Sequence, residues 1–252
     1  MWSKERHQRI LSMLEANHQV SANDLAEMLG VSRETVRRDL VDLEREGRVD
    51  RVHGGAVLPQ PRGEEPFKKR MGEQIRAKRD IARKAAGLIR PGHSILVDAG
   101  TTTSIFAQEL VKLSGIMVVT NSIDIATTIQ GAGADIDLLL LGGRVVSDVP
   151  ATLGELTLAE IRRFNVDMAF VAPVALHAEK GAFSFDLHEA EVAAAMVEQA
   201  RETVILVDHT KLGETSRVLS CEASKIDALV TDKNAPAGAL RPFRDNGMTI
   251  IV

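Results

Sequence analysis

Apolar residues in the N-terminal part of the chain recur every three or four positions, which is the spacing of one face of an α-helix. They predict a helix from Lys4 to about Asn17, then a short helix, then a longer one. The apolar faces of these helices are formed by Ile10, Leu11 and Leu14, by Leu25, Ala26, Met28 and Leu29, and by Val36, Leu40 and Leu43. Such faces predict a small helical core that folds without a ligand.

Polar residues and glycines mark the ends of the second and third helices. Ser21 and Asp24 form an S-x-x-D pattern, in which the serine side chain caps the first helical turn. Gly30 is suited to ending that helix, and Ser32 to starting the next, which we expect to run to Gly47. The short connection between them predicts two helices that cross steeply.

The third helix carries its basic residues away from the apolar stripe. Arg33, Arg37 and Arg38 are expected to face outward from its N-terminal half, where a recognition helix meets base edges and phosphates. We expect Ser32 and Thr35 to anchor phosphate or sugar groups. The arginines would divide between phosphates and bases.

The segment RVDRVHGGAV after the third helix predicts a hairpin, because Gly54 and Gly55 permit a sharp turn close to another surface. We interpret it as a wing whose Arg48, Arg51 and His53 approach the sugar-phosphate backbone. The full set of predicted DNA-binding residues is Ser21, Ser32, Arg33, Thr35, Arg37, Arg38, Arg48, Arg51, His53 and Gly54.

Basic residues at a surface often do no more than keep a domain soluble. Acidic residues offset the lysines and arginines over positions 1–58, so the DNA-binding interpretation depends on where the positive groups lie, not on net charge. The segments RHQRI and VSRETVRRDLVDLEREGRVDRVHGGA resemble the N-terminal winged helix-turn-helix of the DeoR family of bacterial transcriptional regulators. This resemblance implies a DNA-binding domain over residues 1–58.

A proline-rich stretch follows, and we interpret residues 59–67 as a linker to a second domain over 68–252. Its first segment, from Lys68 to Ile89, predicts one basic amphipathic helix. We expect this helix to pack on the second domain, in preference to making a second DNA contact. Its predicted apolar side is Ile75, Ile81, Ala82, Ala85 and Leu88, and its basic residues are Lys68, Lys69, Arg70, Arg76, Lys78, Arg79, Arg83 and Lys84.

Short apolar runs alternate with helical stretches through the rest of the chain. The runs are SILVDAG, IMVVTN, IDLLLLGG, DMAFVAP, TVILVDHT, IDALVTD and MTIIV. Near-continuous apolar strands separated by helices, such as 104–111 and 188–198, predict a mostly parallel sheet in an α/β domain that is buried on both faces.

Polar residues follow several of these strands, at the edge where open α/β sheets bind ligands. The loop after the first strand offers free N–H groups at a helix start, which suit a phosphate. Arg144 could add a fork of donors and Lys211 a point charge for the same anion, while Asp98 and Asp208 could accept bonds from sugar hydroxyls. The predicted effector-binding residues are Asp98, Gly100, Thr101, Thr102, Thr103, Thr120, Asn121, Ser122, Gly142, Gly143, Arg144, Asp208 and Lys211.

The order DAGTTT, TNS, GGR, DHTK and IDALVTD resembles the C-terminal effector domain of DeoR-family regulators, which is akin to sugar-phosphate isomerases of the ribose-5-phosphate isomerase type. The resemblance implies that Gly100 to Thr103, Asn121, Gly142, Gly143 and Lys211 bind a phosphorylated sugar or a related metabolite. The chain departs from the family at Ala193, where many members have a lysine, and at 172–176, where a glycine-rich stretch is usual.

Composition limits the remaining possibilities. The chain has 252 residues, 44% of them hydrophobic, with a formal net charge of -4, which fits two soluble domains and argues against nonspecific coating of nucleic acid. A single cysteine, Cys221, excludes an intrachain disulfide framework. Scattered histidines predict no metal site, and we expect no cofactor. No apolar stretch approaches the roughly 18 residues that span a bilayer, so the expected location is the cytoplasm.

The function expected from these features is sequence-specific repression of a sugar or polyol operon, with operator affinity set by a phosphorylated metabolite. Double-stranded DNA and that metabolite are the expected partners. A lone winged domain buries too little surface for tight binding, so we expect a homodimer or homotetramer.

Two other functions remain open at this stage. One is an aldose-ketose isomerase whose base is a carboxylate such as Asp98, Asp186, Glu189 or Glu191, although Ala193 removes one plausible cation. The other is a nucleic-acid module whose α/β domain serves only to dimerise.

Overall fold

The computed structural model describes residues 3–17, 19–45, 48–52, 54–57, 64–145 and 148–252. The chain divides into two compact units, Met1–Glu64 and Glu65–Val252. Most of the predicted linker lies outside the described residues. Phe67, which the sequence analysis assigned to the linker, is buried within the second unit.

The first unit combines helices with a small antiparallel sheet. Its elements are α1 (Ser3–Asn17), β1 (Gln19–Ser21), α2 (Ala22–Leu29), α3 (Arg33–Arg45), β2 (Asp50–Val52) and β3 (Gly55–Val57), and the sheet order is β1-β3-β2. The three helices and the hairpin were predicted, but β1 was not. The expected end of α3 at Gly47 lies outside the described residues, and the described helix ends at Arg45.

The predicted start and end of α2 and the predicted start of α3 are confirmed. The Ser21 hydroxyl accepts the Asp24 N–H at 3.1 Å, and Gly30 closes α2 with a φ of 65°. The Ser32 hydroxyl accepts the Thr35 N–H at 3.2 Å at the start of α3. The predicted apolar faces pack into one buried cluster, which includes Ile10, Leu14, Leu25, Val36, Leu40 and Leu43. Met28, which was also expected on the buried side of α2, is instead 66% exposed.

A buried ionic cluster also holds α1 against α3. Asp39, counted above with the acidic residues that offset surface charge, is only 3% exposed. Its carboxylate accepts hydrogen bonds from Arg6 Nη2 at 2.8 Å and Nε, and it also contacts His7 Nε2 at 3.0 Å. Asp39 is therefore an internal ion-pair partner.

The second unit is an α/β domain. Its helices are α4 (Phe67–Gly72), α5 (Ile75–Ala86), α6 (Thr101–Leu110), α7 (Ile123–Ala132), α8 (Glu155–Ile161), α9 (Leu187–Glu198) and α10 (Ala237–Asp245). Its strands are β4 (Ser94–Val97), β5 (Ile116–Thr120), β6 (Ile136–Leu140), β7 (Val166–Val171), β8 (Ala175–His177), β9 (Gly181–Ser184), β10 (Ala200–Leu206), β11 (Val218–Cys221), β12 (Ala228–Val230) and β13 (Thr249–Ile251).

Within the described residues, the seven predicted apolar runs form one sheet in the order β13-β12-β10-β7-β4-β5-β6. All of its neighbouring strands pair in parallel, as expected. Apolar clusters cover both faces, one around Phe106 and Phe170 and another around Leu96 and Met196. A second sheet, β11-β9-β8, is antiparallel and was not predicted.

The single helix predicted from Lys68 to Ile89 is instead two helices, α4 and α5. The chain breaks at Gln74, which adopts a left-handed φ of 50°. Ile75, expected on the apolar side, is 39% exposed, while Lys78, expected on the basic side, is 3% exposed. The expected packing of this segment on the second unit is observed for Ile81, Ala82 and Ala85.

The strand order places the reversal of the sheet at β4, with β5 on one side and β7 on the other. In such sheets the crevice outside the carboxyl ends at the reversal is the usual ligand site. In the described parts of the chain, no helix combines the length and apolar character that a membrane crossing requires. The same parts contain no set of His, Cys, Asp and Glu side chains placed to hold a metal ion.

Candidate DNA-binding surface and ligand edge

The outer face of α3 carries the predicted recognition residues. Arg33, Arg37 and Arg38 are exposed, as the position of the apolar stripe predicted. The hydroxyls of Ser32 and Thr35 lie 2.9 Å apart and bond to each other at the helix start. Each hydroxyl retains capacity for a further contact.

The three arginines fall on two surfaces. Arg33 and Arg37 line a groove between α3 and the hairpin, together with Asn23, Arg51 and Gly54. The volume of this groove is about 680 Å³. Arg38 and Arg37 line an adjacent, shallower groove that also includes Arg45. The volume of this second groove is about 320 Å³. Arg37 thus joins the two surfaces.

The hairpin β2–β3 has the form of a wing. Gly54 turns with a φ of 85°, and its carbonyl accepts the Ala22 N–H at 2.8 Å, which ties the wing tip to the start of α2. At Gly55 a Cβ would meet the Val20 carbonyl oxygen at 2.3 Å, so only glycine allows β3 to pair with β1 here. These contacts explain why Gly54 and Gly55 were expected to form a sharp turn close to another surface.

The predicted wing residues differ in their surroundings. Arg48 is exposed, whereas Arg51 Nε donates to Glu44 Oε2 of α3 at 2.8 Å. Ser21 is occupied as the cap of α2. His53 lies outside the described residues.

The polar segments at the carboxyl ends of the strands, which we call the ligand edge, are residues 98–104, 120–122, 142–144 and 208–211. Asn121 organises the first of them, because its Oδ1 accepts the Ala99 N–H at 3.0 Å while its Nδ2 donates to the Thr152 carbonyl at 3.3 Å. Asn121 is 1% exposed. Its side chain therefore supports the loop in which it was predicted to bind ligand.

Three hydroxyls of the ligand edge bond to the backbone. Thr103 Oγ1 donates to the Gly100 carbonyl at 3.0 Å, and Thr120 Oγ1 donates to the Val97 carbonyl at 2.7 Å. The Ser122 hydroxyl accepts the Ile125 N–H at 3.2 Å and caps α7.

The loop that precedes α6 offers different groups. The first N–H groups of a helix have no acceptor within it, so those of Thr101 and Thr102 remain for an anion. Among the described residues, the buried Ser104 hydroxyl has no hydrogen-bond partner. Backbone N–H groups and the Ser104 hydroxyl are thus donors that this part of the edge can offer to a ligand.

The glycine pair after β6 is held tightly by α8. The Gly142 N–H donates to Glu160 Oε2 at 2.6 Å, and its carbonyl accepts from Thr157 Oγ1 at 2.7 Å. Gly143 has a φ of 151°. Arg144 follows, and its backbone pairs with that of Leu153.

Arg144 borders a cavity of about 530 Å³. The cavity is lined by Gly143, Arg144, Leu153, Gly154, Glu155, Leu156 and His188. His188 therefore faces the same space as a predicted ligand residue.

The segment after β10 lies at the other end of the ligand edge. Asp208 is 2% exposed and accepts hydrogen bonds from the Thr210 N–H and hydroxyl, and Lys211 Nζ donates to the Pro173 carbonyl at 2.9 Å. Four strand steps of about 4.8 Å separate β10 from β6, so the two ends are about 19 Å apart. Lys78, which the sequence analysis did not select, is buried within electrostatic range of Asp208 and Lys211.

Two carboxylates that follow strands of the sheet, Asp98 at the ligand edge and Asp232 just after β12, have shifted pKa values. Burial, and secondarily the charge of Glu189, raises the pKa of Asp98 to about 8. Burial alone would raise the pKa of Asp232, but hydrogen bonds from the backbone and ring of His209 and from the Asn234 N–H bring it below its ordinary value. Asp98 is thus neutral near pH 7, whereas Asp232 is charged.

A recognition helix beside a wing, on one chain with an α/β unit that has a polar strand edge, defines the class of DNA-binding regulators with a sensor domain. A family model described as the DeoR-like helix-turn-helix domain matches residues 6–62, and one described as the DeoR C terminal sensor domain matches residues 73–233. The chain belongs to the DeoR family of transcriptional regulators.

Relatives align over almost their whole length. The chain is 32% identical to the glycerol-3-phosphate regulon repressor of Escherichia coli (strain K12), over 98% of this chain and 97% of the relative. It is 31% identical to the HTH-type transcriptional regulator GolR of Listeria innocua, over 99% and 98%. It is 32% identical to the HTH-type transcriptional repressor GlcR of Bacillus subtilis, over 100% and 97%.

Among solved structures, the ribose 5-phosphate isomerase of Methanocaldococcus jannaschii aligns with a TM-score of 0.38 and 18% identity, over 53% of this chain and 52% of that one. We infer no activity from this partial overlap.

Proposed function

We propose that the protein represses a sugar or polyol operon, and that a phosphorylated metabolite bound at the ligand edge controls its affinity for the operator. The observation that carries this proposal is the placement of the α6 start at the reversal of the sheet, where Gly100 and the following N–H groups suit a phosphoryl group. A relative with 32% identity is named as a glycerol-3-phosphate regulon repressor, which supports this class of effector. The protein would act in the cytoplasm as a homodimer or homotetramer.

The ligand would occupy the part of the edge around the start of α6. Lys211 and the α6 N–H groups would hold the phosphoryl group, and Asp98 would contact a hydroxyl. Because Arg144 lies with His188 about four strands from Lys211, we propose that it does not share the phosphoryl group with Lys211.

The isomerase alternative finds less support in the candidate bases. The Asp186 carboxylate caps α9, accepting the His188 N–H at 2.8 Å and the Glu189 N–H at 3.3 Å. One of the candidate bases is thus already engaged in a helix cap. Interconversion of pentose phosphates by the purified protein would nevertheless establish the alternative.

The DNA-binding part of the proposal is tested at Arg37. We expect Arg37→Ala to weaken operator binding about tenfold to a hundredfold, because one base or phosphate contact contributes about 1 to 3 kcal/mol. The measurement is a gel shift with the full chain and its own upstream DNA at several salt concentrations. Arg9→Ala is the matched control, since Arg9 lies on α1, away from both surfaces of α3, and is 57% exposed. Equal affinities for both variants and the unmodified chain would contradict this placement of α3.

The sensing part is tested with a panel of phosphorylated sugars and polyols that includes glycerol 3-phosphate. We expect at least one compound to raise the melting temperature of the second unit and to change the gel shift. An α/β domain that serves only to dimerise would respond to none of them.

The shifted pKa of Asp98 predicts a pH dependence of effector affinity. Asp98 is protonated at pH 7 and becomes charged as pH rises through about 8, so it then repels a phosphorylated ligand. We expect affinity for the best compound of the panel to fall about tenfold between pH 7 and 9, as measured by calorimetry. Asp98→Asn should make this fall smaller, and Lys78, whose pKa is also about 8, accounts for what remains. If the affinity of Asp98→Asn fell with pH in the same way as that of the unmodified chain, Asp98 would not be the cause of the fall.

A further inference from the structure

Lys78 is a buried lysine whose donors the fold uses only in part. It lies in the first turn of α5 and is 3% exposed, and its Nζ donates to the Arg70 carbonyl of α4. A lysine ammonium carries three N–H donors. Among the described residues, the Arg70 carbonyl is the acceptor for this amine, so two donors remain for another group. A buried donor without an acceptor is costly.

The charges around Lys78 indicate what that group is. Asp208 and Glu73 favour its ammonium form, whereas burial, Lys211 and Arg70 disfavour it, and the pKa of Lys78 falls to about 8. Lys78 and Lys211 therefore lie near one buried carboxylate, that of Asp208, at this end of the ligand edge. An anion placed between them would offset the remaining positive charge.

The position of Lys78 matches the proposed phosphoryl site. Lys211 Nζ is fixed on the Pro173 carbonyl just after β7. The loop at Gly100 passes the same place, since a Cβ on Gly100 would lie 3.5 Å from the Ala172 side chain. Lys78, Lys211 and the start of α6 are thus brought together where the sheet reverses.

We propose that Lys78 is a ligand of the phosphoryl group of the effector, which it holds jointly with Lys211 and the N–H groups of α6. This inference rests on the proposed function and names a binding residue of the same site. Lys78 keeps one donor on the Arg70 carbonyl and gives the other two to phosphoryl oxygens. Charge-assisted bonds of this kind are among the stronger ones in proteins.

The same amine connects the ligand to α4. Arg70 belongs to α4, and the N–H of Phe67 at the other end of that helix donates to Asp148 Oδ2 at 2.6 Å. The chain from the DNA-binding unit enters the second unit just before Phe67. An anion bound by Lys78 is therefore linked, through the Arg70 carbonyl, to α4, which is the helix that follows the connection between the units.

The test uses the full chain with two probes, inorganic phosphate and glycerol 3-phosphate, titrated by calorimetry. We expect Lys78→Gln to weaken the binding of both probes about tenfold or more, the loss of one charge-assisted hydrogen bond. Lys84→Gln is the matched control, because Lys84 lies on the same helix and also donates to a carbonyl, that of Thr231, but is paired with Asp80. Circular dichroism and operator binding without probe check the fold of each variant.

The outcomes separate the two proposals. If the unmodified chain binds neither probe nor any other phosphorylated compound, the proposed function fails. If it binds them and Lys78→Gln binds equally well, only the assignment of Lys78 is overturned.

A measurement on the unmodified chain covers the case in which Lys78→Gln does not fold. Saturation with glycerol 3-phosphate should raise the titration midpoint of the Lys78 side-chain resonance above about 8, because a bound anion favours the ammonium. An unmoved midpoint would overturn the assignment.

Discussion

Asp39→Ala is expected to lower the free energy of unfolding of the N-terminal unit by about 3 kcal/mol, because it removes the buried carboxylate that accepts charge-assisted hydrogen bonds from Arg6 and contacts His7. A unit of this size has only a few kcal/mol of stability, so this loss should unfold much of it near physiological temperature. Operator binding should disappear with it. The measurement is urea denaturation of the full chain followed by circular dichroism, with the gel shift as a second readout.

The control for this prediction is Asp42→Ala on the same helix. Asp42 is 55% exposed and lies 3.9 Å from Arg45, a pair that contributes at most about 1 kcal/mol. If Asp39→Ala were no more destabilising than Asp42→Ala, the buried cluster would not stabilise the unit. Arg6→Met combined with Asp39→Leu should recover stability, because apolar groups of similar volume can replace a buried ion pair.

The pKa of Asp39 sets the pH range in which the cluster acts. Burial alone would raise this pKa, but the hydrogen bonds and charges of Arg6 and His7 lower it below the ordinary value. A carboxylate with a lowered folded-state pKa stabilises the fold above its unfolded pKa and loses that contribution as pH falls through the folded one. The contribution of Asp39 should therefore persist at neutral pH and vanish only in acid.

Sequence patterns predicted the elements whose cause is local. The caps at Ser21 and Ser32 need only residues within one helical turn, and both were confirmed. The strands of the parallel sheet were found because most of their residues are apolar, and the central strands are covered by apolar clusters on both faces. Elements that depend on distant partners were missed, such as β1, whose pairing relies on Gly55.

Buried charges escaped prediction although the sequence contained a signal for them. Asp39 lies three residues after Val36 and four before Leu43, and so belongs to the apolar stripe of α3. Lys78 has the same spacing to Ile81 and Ala82 on α5. A charged residue on an apolar stripe indicates a buried charge, but its partner, such as Arg6 for Asp39, cannot be read from the spacing.

The sequence indicated which residues lie at the ligand edge more readily than it indicated what their side chains do there. Serine, threonine and asparagine serve both as ligand contacts and as partners of nearby backbone groups, and the sequence does not distinguish these uses. Ser122 caps a helix, and Asn121 holds the loop at Ala99. Whether they also touch the effector stays a prediction.

Gly143→Ala is expected to destabilise the second unit by about 3 kcal/mol or more and to abolish the response to effector. A Cβ at this position would meet Thr157 Oγ1 at 2.1 Å and the Leu153 carbonyl oxygen at 2.9 Å. Its φ of 151° adds backbone strain for any residue other than glycine. Overpacking and strain each contribute about 1 to 3 kcal/mol. Thermal unfolding with and without the best compound of the panel measures both effects.

Gly131→Ala is the matched control, since Gly131 lies within α7 and a Cβ there would have no neighbour within 4 Å. Alanine at such a helical position should be neutral or stabilise by about 0.5 to 1 kcal/mol. The double variant Gly143→Ala with Thr157→Ala should regain part of the lost stability, because it removes the oxygen closest to the new Cβ, although the contact with Leu153 remains. If the two substitutions were simply additive, the close contact with Thr157 would not be the cause, and the contact with Leu153 together with backbone strain at Gly143 would have to account for the loss.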